Sequence, residues 1–214
     1  MPEIVETTVY SLDELSETAK EKARAWYRES LPDDDWHEFV VEDFQTICPL
    51  LGITLATRPV RLMGGGTRQK PCIWFRGFWS QGDGACFEGH YAYAAGAGKA
   101  IRSHAPQDED LHRIADTLQA VQRRNFYQLR AAIAQQGHYC HEYSMSISVE
   151  RDGPSGQEMT ADAEDTVIET LRDLARWLYS QLEGEHEYQT SDEVVDETIR
   201  INGYTFTEDG RRFE

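Results

Sequence analysis

Apolar residues first recur at helical spacing. Leu12, Leu15, Ala19, Ala23 and Trp26 fall on one face at three- and four-residue steps. Ser11 and Glu14 have the spacing of a capping box, so a helix is expected from there to about Ser30, stopped by Leu31-Pro32. Asp33, Asp34 and Asp35 then precede a second helix, at the end where the helix dipole favours negative charge. Trp36, Phe39, Val40, Phe44, Ile47 and Leu51 form its apolar stripe, and Gly52 suits the position just past its end.

The period then shortens. Ile53-Thr54-Leu55 and Val60-Arg61-Leu62 read as strand, with Pro59 marking an edge or a bulge. Gly64, Gly65 and Gly66 read as a loop, and no Gly-Lys-Ser/Thr follows to make it a P-loop. Ile73 to Tyr93, IWFRGFWSQGDGACFEGHYAY, is the most aromatic run and reads as a hairpin turning at Gly82-Asp83-Gly84. A short helix is expected over Ala94 to Ala105. A better one spans Gln107 to Arg123, with Asp108, Glu109 and Asp110 in its first turn and Leu111, Ile114, Ala115, Leu118 and Val121 inside.

A second hairpin, Phe126 to Glu150, is expected to turn near Gln136-Gly137. Its second arm alternates, with Tyr139, His141, Tyr143, Met145, Ile147 and Val149 on one face. His138, Cys140, Glu142, Ser144, Ser146 and Ser148 lie on the other. Beyond an Asp152 to Gly156 linker comes the longest helix, Ala161 to Glu183, ended by Gly184. Thr190 to Glu193 offers another capping box for a short helix reaching Asn202-Gly203, and the tail reads as a small hairpin.

Helices and hairpins come in blocks, which predicts an α+β fold. Its antiparallel β-sheet is built from two central hairpins packed on one side by several α-helices, with a small C-terminal hairpin. One domain over 1–214 is expected: N-terminal helices 11–51, sheet and helices 53–150, and an acidic helical C-terminal part 160–214.

Charge changes the picture more than composition does. The net charge is −17 over 214 residues. Residues 1–47 carry −9, residues 48–149 carry +4, and residues 150–214 carry −12. Binding of nucleic acid directly by such a surface is disfavoured, whereas a protein partner with a basic surface is favoured. On the expected long helix, Asp162, Asp165, Glu169 and Asp173 repeat at three- and four-residue steps, and Asp192, Glu193, Asp196 and Glu197 add a second acidic helix. Such rows engage arginine-rich proteins or imitate the phosphates of a duplex. The Ser80 to Gly84 tip, with Gln81 and Asp83, is a candidate contact loop.

Four cysteines lack any CxxC pair, which excludes a zinc ribbon or a thioredoxin-type motif. If the two hairpins are neighbours, Cys86, Glu88 and His90 share a face with His138, Cys140 and Glu142. Those donors suit zinc or another transition metal, and Cys86 beside His90 or His138 would also make a nucleophile and base. Otherwise no cofactor is expected. The acidic N-terminus has no apolar h-region and no run approaches a membrane span, so a cytoplasmic protein with no membrane partner is expected.

The segment FWSQGDGACFEGHY, with DEDLHRIADTLQAVQRRNFYQL and HYCHEYSMSISVERD, resembles a family of phage and prophage proteins loosely labelled antitoxins of a toxin–antitoxin stability system. The likeness runs from YSLDELSETAKEKARAWYRE to TFTEDGRRF. It implies a protein of the host cytoplasm, phage-encoded, that neutralises a toxin or inhibits a host defence or nucleic-acid-processing protein. A metal-dependent hydrolase on the Cys/His/Glu face, and a small-ligand sponge beside the aromatic hairpin, are the alternatives.

Overall fold

The computed structural model describes residues 6–30, 36–153 and 156–213. The expected stop at Leu31-Pro32, the Asp33 to Asp35 run, and Pro154 and Ser155 of the linker lie outside the described residues. The fold is α+β, with six α-helices and antiparallel sheets among the described residues. Contacts cluster into two compact units. One is Glu38–Glu183; the other holds the described residues before and after it.

The Glu38–Glu183 unit begins with α2 (Glu38–Leu51), after which Gly52 takes φ +87°. Phe44, Ile47, Cys48 and Leu51 are buried. Phe39 is not, at 78% exposed, so the expected stripe begins one turn later than its pattern suggests. A four-stranded sheet follows the order β1 (Ile53–Leu55), β6 (Gly89–Ala92), β7 (Leu129–Gln135), β8 (Met145–Arg151). Leu129, Ala131 and Ile133 are buried while Arg130, Ala132 and Ala134 are exposed, so one face packs inward and the other meets water. Helices α3 (Ala97–His104), α4 (Glu109–Arg124) and α5 (Ala163–Gln189, through Glu183) complete the unit. Asp108 caps α4 by accepting from the Leu111 amide at 2.9 Å. Buried Gln122 bonds both the N–H and the C=O of Leu129 through its side-chain amide, which fixes where β7 starts.

The region 53–92 holds a three-way strand junction. Each of three chain segments changes partner at a single residue. Thus β1 pairs with β6, whereas β2 (Thr57–Arg61) pairs with β3 (Thr67–Pro71). In turn β4 (Ile73–Arg76) pairs with β5 (Gly84–Phe87). The switch residues Ala56, Cys72 and Glu88 close a ring of backbone hydrogen bonds. The Ala56 N–H donates to Glu88, Cys72 to Ala56 and Glu88 to Cys72, at 2.8, 2.8 and 2.9 Å. Gly89 sits where a Cβ would lie 2.3 Å from the Thr54 carbonyl oxygen, so the junction needs a residue without a side chain there. The expected Ile73 to Tyr93 hairpin is therefore only its first two-thirds. Its second arm leaves the hairpin at Glu88 and enters the main sheet. The three glycines at 64–66 lie at the tip of the β2–β3 ribbon, whose returning strand the sequence pattern did not mark.

In the second unit, the Glu14 carboxylate accepts from both the amide and the hydroxyl of Ser11, at 2.8 Å each. The chain makes one 3-10 turn (Leu12–Glu14) before α1 (Glu17–Ser30), so the single expected helix is two pieces. Leu12, Leu15, Ala19, Ala23, Val195, Ile199 and Phe206 form the core, flanked by Tyr10, Trp26, Tyr27 and Tyr204. α6 (Asp192–Ile201) is capped by Ser191, not by Thr190. The expected break at Gly184 does not occur, since α5 continues through it to Gln189. The C-terminal hairpin is present in outline: Phe206 bridges Arg212 on one side and Tyr10 on the other.

Candidate interaction surfaces

The acidic rows divide into inward and outward carboxylates. Asp196 takes a two-pronged contact from Arg24, at 2.7 Å to each oxygen. Arg24 also meets Asp192 and Glu21, while Arg28 reaches Asp192. Asp162, in the turn just before α5, pairs with Arg124 at 2.8 Å; on α5 itself Glu169 pairs with Arg172 at 2.6 Å, and Asp173 with Arg113 at 2.8 Å and Arg176 at 2.6 Å. The bonded Arg24 holds the Asp196 carboxyl below the usual carboxylate range, and Arg124 does the same to Asp162. Only Asp165, Glu193 and Glu197 of the eight are exposed with no ion pair among the described residues. The helical period explains this sorting. Asp192 and Asp196 lie four apart toward α1, and Glu193 and Glu197 lie one residue further round.

At the β4–β5 tip, Asp83 serves the loop itself. Its carboxylate accepts from the backbone amides of Trp79 at 3.1 Å and Ser80 at 2.6 Å. That leaves Gln81 exposed and Trp79 80% exposed at the tip, while Phe78 stacks on Tyr179 with ring centres 5.5 Å apart.

The chain belongs to the DUF8835 family. That family's model, a domain of unknown function, matches residues 36–192. No curated protein and no solved structure matches. The matched span contains the whole Glu38–Glu183 unit with its three-way junction, whereas α1 and nearly all of α6 fall outside it.

Within that span the six expected metal donors do not assemble. Cys86 is buried on β5, and because the strand changes sheets at Glu88, His90 emerges on the open face of β6. The second arm is not a strand before Met145. His138 and Cys140 lie in the connecting loop, and Glu142 begins a 3-10 turn (Glu142–Ser144). His138 is exposed and Glu142 is taken by Arg176 at 3.1 Å. Among the described residues no group of three or more His, Cys, Asp or Glu is placed to hold a metal ion.

What does meet is smaller. The Cys86 thiol meets the Ser144 hydroxyl and the Cys140 thiol, and Glu88 lies against Cys72. Cys72 was not among the expected donors, because it precedes the hairpin arm in sequence and joins it only through the junction. Burial pushes the Cys86 thiol up to about 12, so it stays protonated at neutral pH and is a poor nucleophile. Glu88 accepts from the Gln135 amide at 3.0 Å, tying the junction to the end of β7.

A groove of 780 Å³ lies between α4 and α5, lined by Asp108, Asp110, Arg113, Asp173, Arg176 and Trp177 among others. It is charged on both sides and its arginines are already paired. No helix among the described residues is long and apolar enough to cross a membrane.

Proposed function

We propose that this chain is a non-enzymatic, acidic, phage-type binding protein working in the host cytoplasm. It occupies the basic surface of a protein partner, a toxin or a host defence or nucleic-acid-processing protein, in the setting its resemblance implies. The observation that supports this most is the sorting of carboxylates. With much of the acid bonded to the protein's own arginines, the outward Glu193, Glu197 and Asp165 remain to meet arginine or lysine from outside. A net charge of −17 steers encounter with such a partner and makes it salt-sensitive. The metal-dependent hydrolase is the weaker reading, since Cys86 and His90 face opposite ways and Glu142 is engaged.

The test is affinity capture from infected host cells at 50 and 300 mM salt, with the Asp165→Lys/Glu193→Lys/Glu197→Lys variant beside the wild type. The expected result is a protein held by the wild type at low salt and lost from the variant and at high salt. A partner retained in all three conditions would overturn the electrostatic reading.

A further inference from the structure

The β2–β3 ribbon is a cationic feature on an anionic protein. Thr57 to Pro71 contains Arg58, Arg61, Arg68 and Lys70 and no acidic residue. Every residue from 57 to 70 is exposed. The two strands pack mainly on each other, so the ribbon buries no core and contributes little to holding the fold. Isolated two-stranded ribbons are marginal in water, and this one is held at its base by the Ala56–Cys72–Glu88 ring.

Its register sets Arg58 opposite Lys70 and Val60 opposite Arg68, so three of the four cations share one face. Arg61 lies on the other face, opposite Thr67. Arg58 lies over the Trp74 ring at 5.6 Å, at the base. Among the described residues, Arg61, Arg68 and Lys70 have no ion-pair partner, although the protein has 38 acidic side chains and pairs most other arginines. The tip is apolar: Leu62 is 50% exposed and Met63 110%.

We infer that this ribbon is a duplex-DNA contact. Strands of five residues run about 17 Å, and a two-stranded ribbon fits a major groove about 12 Å wide. Cations along its length meet the phosphates on the groove walls, and the apolar tip meets the base edges or a step between bases. The anionic surface elsewhere confines the contact to the ribbon, since at 0.1 M salt charges more than about 10 Å away are largely screened. The low expectation for nucleic acid drawn from net charge averaged over a surface on which the positive charge is segregated. This contact is additional to the protein partner proposed above and does not depend on it.

The experiment is fluorescence anisotropy with a fluorescein-labelled 20-base-pair duplex of mixed sequence, titrated with the full chain between 25 and 150 mM salt. Two variants remove the same charge: Arg61→Gln/Arg68→Gln/Lys70→Gln on the ribbon, and Lys22→Gln/Lys99→Gln/Arg123→Gln elsewhere. Wild type is expected to bind with a log–log salt slope of about −3, the value for three or four phosphates. The ribbon variant should lose at least tenfold in affinity and most of the slope, and the control variant should stay within about twofold of wild type. Absence of binding by the wild type at 25 mM salt would overturn the inference, as would equal losses in the two variants. Equal affinity for a single strand or for duplex RNA, whose deep groove does not admit a ribbon, would overturn the groove reading. Dimerisation of the wild type that the ribbon variant abolishes, with DNA binding unchanged, would assign the ribbon to a second copy of the chain.

Discussion

The paired face of α6 and the β2–β3 ribbon are both charged and differ in what that charge meets. On α6, Asp192 and Asp196 are spent on Arg24 and Arg28, and the contact joins two helices over a shared core. On the ribbon, Arg61, Arg68 and Lys70 meet solvent and the strands beneath them bury nothing. Charge that is bonded internally holds the fold, and charge that is not is, on the readings proposed above, what meets a partner. A net figure of −17 contains both kinds and does not separate them.

The largest way to break this comparison is at its most enclosed pair. The side chains of Asp196 and Arg24 are 14% and 11% exposed. Asp196→Ala leaves Arg24 without its main counter-charge and should cost about 2 kcal/mol, read as a lower urea midpoint with an unchanged slope. Acid should give a graded version of the same effect. Arg24 holds the folded Asp196 carboxyl below its ordinary value, so its contribution is complete above about pH 4 and is lost as pH falls through the depressed folded value. Stability is expected to be flat from pH 7 to 5 and to fall below about pH 4, less steeply in Asp196→Asn, as followed by circular dichroism. The smallest effect is expected at the outward positions. Glu193→Lys with Glu197→Lys should leave the urea midpoint where it was, and a clear loss of stability there would show that these carboxylates are structural after all.

The same distinction explains what was legible in the sequence. Helical period marked α1, α2, α4 and α5, because each buries one stripe against a core and the stripe is written in residue type; α6 was marked by a capping spacing instead. The α+β class followed from those blocks. The partner exchange at Ala56, Cys72 and Glu88 was not legible, since the strand period continues unbroken across each switch and only the hydrogen-bond partner changes. One misread strand end had a larger consequence. Treating His138 to Ser144 as strand placed His138, Cys140 and Glu142 in register with Cys86 and His90, whereas a loop and a 3-10 turn separate them. The ribbon was half visible: Pro59 and the glycine run signalled an edge and a turn, but Thr67 to Pro71, polar on both faces, has no apolar alternation to announce a strand. That lack of a buried face is itself the signal of a strand whose surroundings lie outside the protein.

The central claim is that equal numbers of cations do different work when they are bonded within the fold, as Arg24, Arg113 and Arg176 are, and when they meet solvent on the ribbon. Equilibrium urea unfolding of two triple variants tests it most directly: Arg24→Gln/Arg113→Gln/Arg176→Gln against Arg61→Gln/Arg68→Gln/Lys70→Gln. Each variant removes three positive charges. The first is expected to lower the midpoint markedly, because five aspartates and glutamates lose their bonded partners. The second is expected to unfold at the wild-type midpoint. Equal shifts in the two variants, or a larger shift in the ribbon variant, would contradict the account.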